Sequence, residues 1–107
     1  MNRLTKRADF LAARGGTRVP AGPVLLQARD RHDGKAPRIG FTVTKKAGNA
    51  VERNRIRRRL RAAARNVIEA KAHDGFDYVL IARREAISAP FPALLDHLGR
   101  AMTRLHK

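Results

Sequence analysis

Arg38-Ile-Gly-Phe-Thr-Val-Thr44-Lys45-Lys46-Ala-Gly-Asn49-Ala-Val-Glu52-Arg53-Asn54-Arg55-Ile56-Arg57-Arg58-Arg59-Leu60-Arg61 reads as a strand, a short loop and a helix. Ile39, Phe41 and Val43 alternate with Gly40, Thr42 and Thr44, the period of two that gives a strand one bulky apolar face. The other face is small and polar. Pattern alone favours an ordinary solvent-facing side there; the other use of such a face is a floor on which something can lie. From Asn49 the period becomes helical. Asn49 is placed as an N-cap, and Glu52, three residues on, can reach back to complete a capping box. At ~100° per residue, Ile56, Leu60, Ala63 and Val67 share one stripe, which predicts a helix to about Lys71, ended by His73-Asp74-Gly75.

The polar side of this helix carries charge of one sign. Lys45 to Arg61 holds eight basic side chains and a single acid, Glu52; Arg53 to Arg65 holds seven arginines and no acid. Solvated charged faces normally mix both signs. Asn54, Arg58, Arg61 and Arg65 lie opposite the apolar stripe, with Arg53 and Arg57 on one shoulder and Arg55 and Arg59 on the other. A guanidinium offers a planar fork to phosphate oxygens and can stack on bases, so the pattern points to nucleic acid. The whole chain agrees: 24 basic residues against nine acids, a formal charge of +15 and a pI near 11.8.

Working outward, residues 5–14 read as a short helix stopped by Gly15-Gly16. Residues 19–23, with two prolines and a glycine, read as a loop, 24–29 as a strand and 30–37 as a turn of hairpin length. The continuous apolar run at 78–83 is a buried strand. Leu94, Leu95, Leu98, Met102 and Leu105 then repeat at helical spacing behind Phe91 and Pro92. The expected order is α-β-β-α-β-α in one domain over residues 1–107, an α/β sandwich of the α+β class: a small sheet covered by helices.

Several functions are excluded or disfavoured. There is no cysteine, hence no disulfide, zinc ribbon or thiol nucleophile. No apolar run is long enough to span a bilayer, so no membrane partner is expected. The charged start lacks an apolar segment behind it, which makes the cytoplasm the expected location. Asp9, Asp30, Asp33, Asp74, Asp77 and Asp96 are scattered, so neither a catalytic constellation nor a metal site is expected in the chain. His32, His73, His97 and His106 are read as turn or surface residues. A helix-turn-helix would need two helices a short turn apart, and Phe41, in phase with Ile39 and Val43, belongs to the core rather than to a stacking platform.

The segment Arg38–Arg61, with its Arg53-Asn54-Arg55 core, closely resembles the signature of the bacterial ribonuclease P protein component. Arg3-Leu4, Ala8-Asp9-Phe10 and Asp77-Tyr-Val-Leu-Ile-Ala-Arg-Arg84 resemble it too. The resemblance implies a ribosomal protein S5 domain 2-like fold with a left-handed β-α-β crossover, against the general right-handed preference. It also implies a subunit of a ribozyme whose RNA cleaves precursor tRNA with Mg²⁺, the protein contributing binding and holding no cofactor of its own. Its partners would be the ribonuclease P RNA and precursor tRNA, with no obligatory protein partner. Carried over, Arg53, Asn54, Arg55, Arg57, Arg58 and Arg61 dock on the catalytic RNA. Phe10, Gln27, Thr42, Thr44, Lys45, Lys46, Arg83 and Arg84 face the single-stranded 5′ leader, which makes the small polar strand face a floor after all. The family often has a second aromatic where this chain has Arg14, and some members have a tyrosine where it has Gln27, so leader affinity is expected to rest more on charge than on stacking. The alternative from another class is a structural ribosomal RNA-binding protein with no role in cleavage.

Overall fold

The computed structural model describes residues 1–107. Its sheet has five strands, β1 (Asn2–Arg3), β2 (Thr17–Ala21), β3 (Val24–Asp30), β4 (Arg38–Val43) and β5 (Phe76–Ala82), in the spatial order β1-β4-β5-β3-β2. β4 runs parallel to both β1 and β5, whereas β3 is antiparallel to β5 and β2. The helices are α1 (Arg7–Arg14), α2 (Ala50–Ala63), α3 (Glu69–Lys71) and α4 (Phe91–Leu105). A π turn, Ala64–Ile68, joins α2 to α3, so the helix predicted to reach Lys71 is continuous over 50–71. The class is α+β, as expected.

Two strands were not expected. β2 occupies most of the stretch read as a loop, with Val19 and Ala21 buried in the core. Pro20 is tolerated because β2 is an outer strand, where a missing N–H can face solvent. β1 is only two residues long and carries no period to read. The predicted boundaries also move: β5 begins at Phe76 rather than Tyr78, α1 at Arg7, and Thr44 leaves the strand to precede a 3₁₀ turn, Lys45–Ala47.

One face of the sheet makes the main core. Leu26, Ile39, Val43, Tyr78 and Leu80 pack there against Ile56, Leu60 and Ile68 of the long helix and Leu94, Leu98 and Met102 of α4. Each large apolar side chain fully buried there stabilises the fold by about 1.5–3 kcal/mol. The apolar stripe shifts at the π turn: Ala63 and Ala64 are both buried, then Ile68, while Val67 is only half-buried. A wider turn inserts one residue into the helical phase, which a uniform 100° count cannot anticipate. The opposite face has a smaller cluster, Leu4, Ala13 and Val79 with Phe10 and Ile81, beneath α1. Since α1 is only eight residues long, it covers part of that face.

Candidate nucleic-acid interface

The arginine helix starts where its cap chemistry dictates. Glu52 N–H donates to Asn49 Oδ1 and Asn49 N–H to Glu52 Oε1, both at 2.9 Å. Glu52 also pairs with Arg84 at 2.8 Å, so the one acid of α2 is already neutralised. Arg84 and the Asn49 N–H hold the Glu52 carboxyl below its usual range, and Glu52 raises the Arg84 guanidinium. Arg53, Arg55, Arg57, Arg58 and Arg61 have no carboxylate within ion-pair distance, unlike Arg31, Arg38, Arg84 and Arg100. Asn54, Arg55 and Arg58 are exposed; Arg53, Arg57 and Arg61 are half-buried. Val51, Asn54, Arg57, Arg58 and Arg61 line a shallow groove of about 400 Å³ along the helix. Arg59 has another task, donating to the Ala89 carbonyl and tying α2 to the approach to α4.

A second concavity, about 440 Å³, lies between α1 and the sheet. Phe10, Leu11 and Arg14 of α1 form one wall, Gln27, Thr42, Val79 and Ile81 the floor, and Thr5, Arg7 and Arg57 line it as well. The small face of β4 is what makes room: a Cβ at Gly40 would come within 2.5 Å of the Phe10 ring, so only glycine lets that ring lie against the sheet. Gln27 is almost wholly buried in this floor, at 2% exposure. Phe41 is half-buried against the main core, as its phase predicts, yet it too lines the cleft.

The two residue sets inferred for RNA contacts lie mostly apart, and the leader set is itself divided. Phe10, Gln27 and Thr42 line the cleft. Thr44, Lys45 and Lys46 follow the end of β4, and Arg83 and Arg84 follow the end of β5. Parallel pairing puts these two ends at the same end of the sheet, where Arg84 also donates to the Ala47 carbonyl at 3.3 Å. All of Thr44, Lys45, Lys46, Arg83 and Arg84 are exposed, but none of them lines the cleft. Thr5, Arg7, Leu11 and Arg14 were missed as lining residues. Arg7, Phe10, Leu11 and Arg14 stand at i, i+3, i+4 and i+7, so the shared helix face was readable once Phe10 was singled out. Arg57 belongs to both concavities. No three His, Cys, Asp or Glu side chains gather as a metal site.

The model of the family described as Ribonuclease P matches residues 1–106. The chain belongs to the ribonuclease P protein family. It is 52% identical over 106 residues to the ribonuclease P protein component of Ruegeria pomeroyi, covering 96% of this chain and 85% of that one. Identity to the Brucella suis ribonuclease P protein component is 45% over 109 residues, covering 94% and 77%. Among solved structures, the RNase P protein of Thermotoga maritima superposes with a TM-score of 0.80 at 27% identity, covering 97% of each chain. That of Staphylococcus aureus gives 0.79 at 26%, covering 97% and 94%. A ribonuclease P protein is a component of a tRNA-processing endoribonuclease, and this membership sets aside the ribosomal alternative.

Proposed function

We propose that this ribonuclease P protein binds the catalytic RNA through Arg53, Asn54, Arg55, Arg57, Arg58 and Arg61 and the 5′ leader of precursor tRNA through the cleft and the basic sheet end beside it. The observation that carries this reading is the pair of separate cationic surfaces, one along α2 and one between α1 and the sheet, meeting at Arg57. A polyanion on the α2 face meets guanidiniums that no carboxylate competes for, so each phosphate contact displaces counterions rather than an internal ion pair.

The cleavage belongs to the RNA, to which bound Mg²⁺ would supply the charge that activates water and stabilises the leaving oxygen. The protein's own part is binding. Phe10 offers a ring face, Gln27 an amide and Arg7, Arg14 and Arg57 positive charge along the leader's path. Because the matured tRNA has lost its leader, such binding favours precursor over product. The +15 field also offsets the repulsion between two RNAs, which lowers the Mg²⁺ needed. The work is done in the cytoplasm, without an obligatory protein partner.

The test is precursor tRNA cleavage at low Mg²⁺, with the chain alone, the cognate catalytic RNA alone, and both. Cleavage only when both are present, or faster than with RNA alone, is the expected result. Cleavage by the chain alone, or no effect of the chain on RNA-driven cleavage, would overturn the reading.

A further inference from the structure

β1 stops short of β4. It pairs Asn2 and Arg3 with Arg38 and Ile39, its ladder ends with Leu4 N–H donating to the Ile39 carbonyl at 2.8 Å, and the chain then departs into α1. β4 runs on to Val43. Backbone N–H and C=O groups point to alternate sides along a strand. Ile39 directs its pair toward β1, so Phe41 and Val43 direct theirs the same way, past the end of β1, while Gly40 and Thr42 face β5. No turn, loop or cap hydrogen bond reaches those outward groups of Phe41 or Val43.

This open edge lies inside the cleft. Three consecutive residues, Phe41, Thr42 and Val43, line it. Phe10 and Leu11 belong to α1 on one face of the sheet and Arg57 to α2, which packs on the other, so a groove lined by all of them passes around the sheet edge. Arg7 and Arg57 line the same groove, from α1 and α2.

We propose that the open edge of β4 reads unpaired nucleobases through the main chain. The N–H and C=O of Phe41, and those of Val43, each present a donor beside an acceptor to one base edge, and Arg7 and Arg57 neutralise the flanking phosphates. The inference rests on the cleft being the path of single-stranded RNA and adds the element that sees the bases. The two backbone pairs are about 6.7 Å apart along the strand. That is roughly twice the ~3.4 Å rise of stacked nucleotides, so the edge fits a splayed single strand and not a duplex. Strand addition by a second copy of the chain is disfavoured. Only two residues offer outward groups, and two molecules of charge +15 repel.

Residue-resolved amide hydrogen exchange on the full chain tests this, with a mixed-sequence single-stranded RNA oligonucleotide and with the same sequence as a duplex. In the free protein the Phe41 and Val43 amides should exchange much faster than those of Gly40 and Thr42. The single strand should slow both by about tenfold or more, as one hydrogen bond each provides, and the duplex should not. If the single strand perturbs Phe10 and Thr42 but leaves Phe41 and Val43 unprotected, edge reading is overturned while the cleft remains an RNA path. If no residue of the cleft responds, the path fails and the edge reading with it. Protection of Phe41 and Val43 in concentrated protein without RNA would overturn it in favour of pairing between copies.

Discussion

Asp77 is wholly buried and ionic, an arrangement that persists only when the charge is matched. Arg38 meets it from Nε and Nη2, each at 2.8 Å, and Arg31 from Nη1. Arg38 also reaches Asp9 of α1 at 3.4 Å, and Arg31 closes the turn after β3 by donating to the Ala36 carbonyl at 2.9 Å. One carboxylate therefore ties β4, β5, α1 and that turn together. Asp77→Ala removes the buried charge the two guanidiniums share, leaving Arg31 to Asp33 and Arg38 to Asp9, and should lower the unfolding free energy by about 3 kcal/mol, read in urea melts. A second cluster joins the turn before β5 to the C-terminal residues. The His73 N–H donates to the Tyr78 hydroxyl at 2.9 Å, that hydroxyl and His106 Nε2 share a hydrogen bond of 2.7 Å, and the His73 and His106 rings stack at 3.5 Å. Burial, then the proximity of His73, push the His106 pKa below the ordinary histidine value. The unfolded chain thus takes up this proton more readily. Stability should fall as pH drops below about 6.5 and continue falling down to the lower folded value. Asp33, held at about 2, titrates outside that window. Thermal midpoints between about pH 7 and about pH 5 should decline, and the slope should flatten in His106→Ala. Neither cluster was legible in the sequence. Asp77 lies 39 residues from Arg38, and His73 and His106 looked like turn and surface residues because nothing local shows a C-terminal ring folding back on a turn.

At the scale of elements, legibility followed locality. The start of α2 was readable to the residue because capping is a contact between Asn49 and Glu52, three positions apart. Asn49→Ala should cost about 1 kcal/mol of stability and fray the first turn of the arginine helix, seen as faster amide exchange at residues 50–53. The β4 strand and the α4 helix were equally plain, since each carries its own period. β2 was hidden because proline and glycine chemistry argues locally for a loop, and only its place at the sheet edge makes Pro20 harmless. The π turn was hidden because it changes the period in mid-helix. Its consequence is confined to which side of 64–68 is buried, and the guanidinium face between Arg53 and Arg61 lies before it.

For the whole molecule, the question is how one small basic domain keeps its two proposed RNA surfaces apart. Arg58 is exposed on the α2 groove, and Lys46 is exposed past the end of β4. Arg58→Ala should weaken assembly with the catalytic RNA by about 1–3 kcal/mol, the range of a charge-assisted contact, with precursor affinity of the assembled enzyme nearly intact. Lys46→Ala should do the reverse; equal losses in both assays for both variants would refute the division. By itself the sequence determined the sign and density of charge, the capped arginine helix, the alternating strand before it and the family, because each is written in composition or in spacings of a few residues. Tertiary structure decided the rest. It placed Arg57 in both concavities, carried Arg7, Leu11 and Arg14 to the cleft wall, buried Gln27 in its floor and ended β1 early enough to leave the edge of β4 open. Those are contacts between segments tens of residues apart, and they depend on which strands pair and where pairing stops, which no local period encodes.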